Sequence, residues 1–372
     1  MITRKLSARL LVPLAVLVAA LGLAACGSDD DGDSGDSGDS GASGKIAFLL
    51  PETQTARYET QDKPLFESKV TEICPDCEIL YQNADQDPAK QQQQVEAAVT
   101  EGVDVIVLDP VDSTASAGLA TRAKQAGIPI ISYDRLILDA DLDYYVSFDS
   151  VKVGEQQGEA LAKKLAEDGS PTGPIVQING DPKDNNATLF KQGASSVFED
   201  KGIDVAKEYD TADWLPENAQ REMEQAITAV GKGNFAGVYA ANDGTAGGAI
   251  AALKAAGIDL AQMPVTGQDA ELAAIQRILA GEQYMTVYKP IKPLAENAAQ
   301  LAVAVANGED PPAGLVNGEQ DNGTEKVPTV FLETTAVTKD NVKDTIIADD
   351  FWSAKEICTQ QYAQACKAAG IQ

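Results

Sequence analysis

The stretch from Ile128 to Ser150 has the sequence IPIISYDRLILDADLDYYVSFDS, and it indicates the fold of the whole chain. Its apolar run Ile128–Ile131 leads into an adjacent acid and base, Asp134 and Arg135. This pattern is typical of a parallel strand whose carboxyl end opens into a polar ligand cleft. At Tyr144 the chain becomes extended again and then enters a helical pattern. We therefore predict a ligand-binding pair beside a crossing between two domains.

Strand-like and helix-like patterns alternate on both sides of this stretch. Upstream, apolar strands are predicted at Lys45–Leu50, Glu78–Gln82 and Val103–Leu108, and helical spacing separates them. Downstream, the same alternation continues to a strand at Val330–Leu332. Such repeats indicate doubly wound parallel sheets, and a chain of 372 residues favours two domains. The predicted fold class is α/β, with two doubly wound parallel-sheet domains.

The composition excludes several classes of function. The net charge of −28 repels phosphate backbones, so nucleic acid is not expected as a partner. The chain contains no histidine, which excludes Ser/His/Asp and Cys/His nucleophiles and His-ligated zinc. Neither glycine-rich phosphate-binding motif occurs, so no nucleotide cofactor is expected. Metal and carboxylate catalysis stay open at this point.

Residues 1–25 have the pattern of an export signal. The segment Met1–Arg9 is positive, Leu10–Leu23 is apolar, and the following Ala24-Ala25-Cys26 completes a resemblance to the lipobox of bacterial lipoproteins. A plain membrane helix is the alternative, but about 14 apolar residues are few for a span of about 30 Å. We predict an exported lipoprotein, anchored to the outer face of the cell membrane through Cys26. Residues 26–44, nearly all Gly, Ser and Asp, are predicted to be a disordered tether.

Four cysteines remain after Cys26. They are Cys74, Cys77, Cys358 and Cys366. In an exported chain an even number favours disulfides, most simply the two local pairs. The Cys-x-x-Cys at 74–77 also suits a redox motif or half a zinc site, although the second Cys-x-x-Cys of a zinc ribbon is missing.

Polar and aromatic residues follow nearly every predicted strand, at the ends where open α/β sheets bind ligands. They are Glu52, Arg57, Tyr58, Asp134, Arg135, Asn179, Asp184, Asn185, Asn186, Trp214, Asn242, Asp243, Gln268, Asp269 and Lys289. Planar hydrogen-bonding groups and aromatic rings suit a pyranose, whose hydroxyls donate and accept and whose ring face is apolar. The alternatives are a surface ion pair for Asp134 and Arg135, and a core position for Trp214.

No metal site is predicted. The acids Asp139, Asp141 and Asp143 imitate the start of a calcium loop. However, Tyr144 stands where that loop needs Gly, and Ser150 stands where it needs a bidentate Glu. We interpret the three acids as a solvated turn.

Several blocks of sequence resemble one protein family. The blocks are Ser132–Arg135 with Asp139–Asp149, Asp184–Ala187, Trp214–Ala219, Asn242–Ile250, and Gly267–Ala270 with Met285–Pro290. They look like the D-xylose-binding proteins of bacterial ABC sugar transporters, in register from roughly Lys45 to Ile347. The resemblance implies a type I periplasmic-binding-protein fold, in which two lobes joined by a three-crossing hinge close on one sugar. The expected lobes are 45–148 plus 290–326, and 149–289 plus 327–372.

The resemblance also implies which residues contact the sugar. They are Arg57, Tyr58, Asp134, Arg135, Asp184, Asn185, Asn186, Trp214, Asn242, Asp269 and Lys289. Tyr58 stands where the family has Trp, which bears on the choice among pentoses and related sugars. The Cys74–Cys77 insertion and the disulfide-bearing tail Phe351–Gln372 also depart from the family pattern.

The implied function is capture of D-xylose or a closely related aldose by a monomer that delivers it to an ABC permease, without catalysis or a cofactor. A sugar sensor that presents its closed form to a membrane signalling receptor is the alternative, because the ligand site would be the same. A glycosidase using paired carboxylates such as Asp134 and Asp269 is a third interpretation. A sugar-responsive transcription regulator shares the architecture, but an export signal stands where its DNA-binding headpiece would be.

Overall fold

A computed structural model describes residues 43–371, so the predicted export signal, Cys26 and most of the predicted tether lie outside the described residues. The strands are β1 Lys45–Leu50, β2 Glu78–Asn83, β3 Val105–Leu108, β4 Ile130–Tyr133, β5 Tyr144–Phe148, β6 Ile175–Asn179, β7 Val205–Asp210, β8 Gly237–Ala240, β9 Met285–Tyr288, β10 Gly318–Asp321, β11 Lys326–Leu332 and β12 Thr335–Thr338. The α-helices are α1 Lys63–Ile73, α2 Pro88–Glu101, α3 Ala117–Gln125, α4 Ser150–Glu167, α5 Asn185–Lys201, α6 Pro216–Val230, α7 Asp243–Ala255, α8 Leu272–Ala280, α9 Ile291–Ala306, α10 Ala354–Ile357 and α11 Ala363–Ala368.

The first sheet has seven strands in the order β10-β11-β5-β4-β3-β1-β2. All neighbours are parallel except β10 and β11, which pair antiparallel. Helices α1 and α9 cover one face of the sheet, and α2 and α3 cover the other. Because both faces are covered, β3 is buried along its whole length. This burial explains its unbroken apolar sequence.

The second sheet has three parallel strands in the order β7-β6-β8. Helices α4 and α5 pack on one face, and α6 and α7 pack on the other. Parallel bridges from Val238 to Val265 and from Gln268 to Val287 continue the pairing from β8 to the antiparallel pair β9 and β12. Val265 thus takes part in the pairing through an isolated bridge.

The strand β11 belongs to the first sheet, which corrects the expected lobe boundary at residue 327. Its residues pair with β5 in parallel register, with Thr329 opposite Tyr145 and Leu332 opposite Phe148. The expected boundary falls between Lys326 and Val327, inside this strand, because nothing in the local sequence indicates its partner. The chain passes from the first sheet to the second after β5, returns after β9, and passes again between β11 and β12.

Capping side chains begin the helices that follow several of the strands. Asp149 accepts from the main-chain N–H of Lys152 at α4, and Asp184 accepts from that of Asn186 at α5. Asn242 and Thr245 form a reciprocal capping box at α7. Asp and Asn are favoured here because their short side chains satisfy orphan N–H groups of the first turn. The same residues are thereby fixed at the carboxyl ends of the strands.

The tail, residues 351–371 of the described chain, packs against the rest of the protein. Phe351, Ile357, Cys366 and Ile371 are buried. The Cα atoms of Cys358 and Cys366 are 5.8 Å apart, and those of Cys74 and Cys77 are 5.3 Å apart. Both separations suit the predicted disulfides. Within residues 43–371, no helix is both long enough and apolar enough to cross a membrane.

Candidate functional site

A small polar cavity lies between the carboxyl ends of the first and second sheets. Its lining residues are Thr55, Arg57, Tyr58, Asp134, Arg135, Asp184, Asn186, Phe190, Trp214, Asn242, Gln268, Asp269 and Lys289.

On the side of the first sheet, Arg57 is held by a bidentate contact. Its Nε and Nη2 donate to Asp62 over 2.9 and 2.7 Å, and both residues are almost fully buried. The hydroxyl of Tyr133 also donates to Asp62, over 2.5 Å. A bidentate arginine–carboxylate pair restricts the direction of the guanidinium. Arg57 is therefore oriented before any ligand arrives.

Asp134 is the centre of this side. Its backbone adopts a left-handed conformation, with φ of 54°. The main-chain carbonyl accepts from Tyr145, Ser147 and Asn186, and the carboxylate accepts from Arg57 and Tyr58. Burial by itself would raise the pKa of Asp134, but the positive charges of Arg57, Lys289 and Arg135 outweigh it and hold the pKa below its usual range. The carboxylate is thus ionised and oriented.

Arg135 lies among three buried acids. Its Nε is 3.1 Å from Asp184 and 3.7 Å from Asp109, and its Nη2 is 3.5 Å from Glu52. The guanidinium stays charged at all ordinary pH values and presents several donors in one plane. Since Asp184 follows a strand of the second sheet, Arg135 connects the two sides of the cavity.

On the side of the second sheet, Asp184 and Trp214 form a hydrogen-bonded pair. The indole Nε1 of Trp214 donates to the Asp184 carboxylate over 3.2 Å. A Cβ atom at Gly180 would lie only 1.9 Å from the Trp214 ring, so glycine is needed to let the indole lie there. Burial raises the pKa of Asp184 to about 6, although Arg135 acts in the opposite direction.

Asp269 and Lys289 complete this side. The Lys289 amine lies 2.9 Å from the Asp269 carboxylate and 3.9 Å from that of Asp134. Arg57 Nη1 lies 3.9 Å from Asp269. The cations therefore lie between carboxylates of the two sides, and the charges within the cavity are nearly balanced.

Two amide oxygens in the cavity have unused hydrogen-bonding capacity. Within residues 43–371, Asn186 Oδ1 and Gln268 Oε1 are buried and have no hydrogen-bond partner. Leaving such a group unpaired costs about 1–3 kcal/mol. Both residues line the cavity, so a ligand hydroxyl there would satisfy them.

A family model described as a periplasmic binding protein domain matches residues 46–310. The D-xylose-binding periplasmic protein of Escherichia coli (strain K12) is 40% identical over 317 residues, which cover 84% of this chain and 92% of that protein. The chain belongs to the periplasmic binding protein family. The multiple sugar-binding periplasmic receptor ChvE of Rhizobium radiobacter is 33% identical over 292 residues, with 74% of this chain and 82% of that protein covered.

Solved structures agree with this membership. A solute-binding protein of an ABC transporter from Clostridium phytofermentans, with bound β-D-glucose, matches with a TM-score of 0.75 and 28% identity. The match covers 84% of this chain and 99% of that chain. The fold is thus the type I periplasmic-binding-protein fold, as the sequence predicted. The protein is an exported sugar-binding protein of the ABC-transporter type, and it is not an enzyme.

All the predicted sugar-contact residues of this binding protein line the cavity except Asn185. Helix α5 begins at Asn185, and successive helical side chains point in different directions. Asn186 therefore faces the cavity, whereas the main-chain N–H of Asn185 donates to Ser113. Asn185 does not line the cavity, and its contact with the sugar stays a prediction.

Three lining residues were not among the predicted contacts: Thr55, Phe190 and Gln268. Gln268 follows a predicted strand, so its position was a usable signal. Phe190 is one helical turn beyond Asn186 and shares its face of α5. Thr55 has no comparable signal, because the loop that carries it has no periodic pattern.

The acids of the predicted solvated turn lie outside the cavity. Asp139 and Asp141 are exposed, and Asp143 accepts from Lys124 and from the main-chain N–H of Ile130. In the part of the chain that the structure describes, no group of three or more potential metal-ligating side chains comes together.

Proposed function

We propose that this protein captures D-xylose or a closely related aldose between two lobes and delivers it to an ABC permease. The observation that carries the proposal is a small cavity lined by three acids, three cations, two free amide oxygens and aromatic rings. The similarity to D-xylose-binding proteins supports this choice of sugar.

The chemistry of the lining matches that of a sugar. Each hydroxyl of a pyranose can donate one hydrogen bond and accept others. Arg57, Arg135 and Lys289 would donate to hydroxyl oxygens, and carboxylates such as Asp134 and Asp269 would accept from hydroxyl hydrogens. The rings of Trp214 and Phe190 would cover the apolar faces of the sugar. Charge-assisted hydrogen bonds in a buried site are among the stronger kinds, which suits capture of a dilute solute.

Closure of the lobes would couple binding to recognition by the permease. We assign residues 45–148, 290–332 and the strands they form to one lobe, and residues 149–289 with 335–338 to the other. Contacts such as Arg135 with Asp184 and Asn186 with Asp134 join the two in the present arrangement. A sugar held by both lobes stabilises the closed arrangement, because an open one offers it fewer partners.

The proposal also covers the membrane anchor, the disulfides and the oligomeric state. We assign lipidation to Cys26, which would anchor the exported protein to the outer face of the cell membrane by residues 26–44. The spacing of Cys74 from Cys77 and of Cys358 from Cys366 supports two disulfides, as expected outside the cytoplasm. We also propose that the protein acts as a monomer.

A sensor that presents its closed form to a membrane signalling receptor is the second candidate. The similarity to the multiple sugar-binding periplasmic receptor of Rhizobium radiobacter favours this candidate. Transport and sensing would use the same cavity, so the partner decides between them. Deletion of the gene should abolish growth on the sugar if the protein serves transport. Normal growth together with a lost transcriptional response would favour the sensor.

Isothermal titration calorimetry of the purified protein against xylose, ribose, arabinose, glucose and galactose tests the proposed ligand. We expect one site per chain and the highest affinity for D-xylose. Asp269→Asn should weaken binding by about 1.5–3 kcal/mol, or roughly ten- to hundredfold, because it removes a charge-assisted hydrogen bond. Lack of binding to every aldose would contradict sugar capture, whereas a tighter alternative aldose would reassign the ligand alone.

A further inference from the structure

The turn that carries Asp269 has a strained backbone. Asp269 has φ of 93° and Ala270 has φ of 51°, and neither residue is glycine. Side chains with a Cβ atom disfavour this region, so such conformations persist only where the surroundings enforce them. The direction of the Asp269 carboxylate depends on this conformation. The contacts that enforce it therefore bear on recognition in the cavity.

Acceptors on β9 and at the start of α7 hold the main-chain N–H groups of the turn. Asp269 donates to the carbonyl of Val287 over 2.9 Å, and Ala270 donates to the hydroxyl of Thr286 over 3.2 Å. Glu271 donates to the carboxylate of Asp243 over 3.0 Å. These bonds hold the N–H groups of the turn, but none of them involves the carbonyl of Ala270.

The carbonyl of Ala270 is held from the tail. The indole Nε1 of Trp352 donates to it over 2.8 Å. Within residues 43–371, this is the hydrogen bond that the tail makes with the turn. The tail lies beyond residues 46–310, which match the family model. This contact therefore comes from outside the segment that matches the family model.

The tail itself is firmly placed beside the turn. Phe351 packs edge-on against Tyr288 and Trp352, with ring centroids 5.0 and 5.4 Å apart. The side-chain amide of Gln276, on α8, donates to the carbonyls of Glu356 and Ile357 over 3.3 and 3.2 Å. The indole of Trp352 is thus held by packing on one side and by an anchored segment on the other.

We propose that Trp352 is a positioning residue for sugar recognition, which holds the Asp269–Ala270 turn so that the Asp269 carboxylate points into the cavity. The inference rests on the proposed function, because the residue it positions is assigned to the sugar. Trp352 does not line the cavity itself. Its effect on binding must pass through the turn.

A double-mutant cycle tests the proposal. Trp352→Phe keeps an aromatic ring but removes the donor, and Asp269→Asn alters the residue that is positioned. We expect Trp352→Phe to weaken binding of whichever aldose the wild type binds by about three- to tenfold, as for one lost hydrogen bond. In the Asp269→Asn background the same change should have less than about a twofold effect, because coupled residues are not additive. The matched control is Tyr362→Phe, which removes a donor from a half-buried ring of the same tail and should leave affinity unchanged.

Hydrogen exchange of the sugar-free protein gives a second readout that does not depend on the ligand. Amide exchange at Ala270 and Glu271 should become faster in Trp352→Phe, while exchange in β6 stays the same. Gln276→Leu, which releases the tail from α8 and keeps the indole, should produce a smaller increase. Unchanged exchange, or an equal loss of affinity in both backgrounds of the cycle, would overturn the proposal. Failure of the wild type to bind any aldose would instead contradict the proposed function.

Discussion

The two sides of the cavity are built differently. On the first side, Arg57 donates hydrogen bonds to both Asp62 and Asp134. On the second side, the buried amide oxygens of Asn186 and Gln268 have no hydrogen-bond partner within residues 43–371. The first side is thus oriented by its own hydrogen bonds, whereas the second keeps capacity for a ligand.

Two buried aspartates, Asp134 on the first side and Asp184 on the second, differ in the direction of their pKa shifts. Asp134 lies close to three cations, and its pKa falls below the usual range. Asp184 lies against Arg135 but also near other acids, and burial raises its pKa to about 6. Both carboxylates are about equally buried, so the balance of neighbouring charge decides the direction of the shift.

Removal of Arg135 should produce the largest effect, because this residue connects the two sides. Arg135→Ala leaves Glu52, Asp109 and Asp184 buried without their common cation. We expect the free energy of unfolding to fall by about 3–5 kcal/mol, measured by urea denaturation. The control Arg122→Ala removes an exposed arginine of α3 and should change the free energy of unfolding by less than about 0.5 kcal/mol. Similar small losses in both variants would contradict the connecting role.

The pKa of Asp184 should give stability a measurable dependence on pH. Between pH 3.8, its ordinary pKa, and about 6, the native protein retains a proton on Asp184 that the unfolded chain has released. The contribution of this group to stability therefore falls as pH rises through that window, by at most about 3 kcal/mol. Asp184→Asn cannot titrate, so denaturation curves of the variant and the wild type should diverge across the window. Parallel behaviour would show that Asp184 is ionised throughout.

Asp134 should behave in the opposite way and so serves as the internal comparison. Its lowered pKa means that its contribution is present above the ordinary pKa of 3.8 and is lost as pH falls below it. In the same denaturation series, Asp134→Asn should therefore lose stability relative to the wild type near neutral pH. The deficit should shrink under acidic conditions. Shifts of the same sign for both aspartates would contradict the difference between the two sides.

Gly180→Ala should have a smaller effect that is confined to the second side. The added Cβ atom would overlap the ring of Trp214 and displace it from Asp184. Overpacking costs about 1–3 kcal/mol, so sugar affinity should fall about tenfold, with a changed tryptophan fluorescence spectrum. Gly118→Ala adds the same atom in open space on α3 and is the matched control. Equal sugar affinities for both variants would show that Trp214 has no role in binding the sugar.

The smallest effect is expected at the acidic turn. Asp141 contacts Lys124 over 3.2 Å, but its side chain is 69% exposed. Asp141→Asn should change the free energy of unfolding by less than about 0.5 kcal/mol, as for other exposed ion pairs, and should leave sugar affinity unchanged. Calorimetry with the aldose and a thermal melt with added calcium check both expectations. A shift of the melting temperature with calcium would contradict the interpretation as a solvated turn.

The sequence predicted the fold better than the details of the site. Strand β1 has the predicted bounds, Lys45–Leu50, because an apolar run with a sharp polar end is a local signal. Strand β4 begins two residues later than predicted, at Ile130, since Pro129 cannot donate to a ladder. Strand β10 was missed within a loop-like region. It exists through antiparallel pairing with β11, which no local pattern reveals.

Within the site, residue type and strand order were sufficient to predict most lining residues, but side-chain direction was not. Asn185 and Asn186 have the same side chain, and the start of α5 decides which one faces the cavity. The contact of Trp352 with Ala270 joins residues far apart in the chain. Tertiary packing alone brings them together, so no spacing in the sequence could indicate it.

The placement of β11 between β5 and β10 also affects how the protein reaches its fold. The pairing of Thr329 with Tyr145 closes a very long loop. Closing this loop costs chain entropy, and no contact offsets that cost until the two strands have paired. Until residues near Leu332 pair with it, this edge of β5 exposes unpaired N–H and C=O groups. Completion of the first sheet therefore depends on a segment that lies far along the chain from its partner strand.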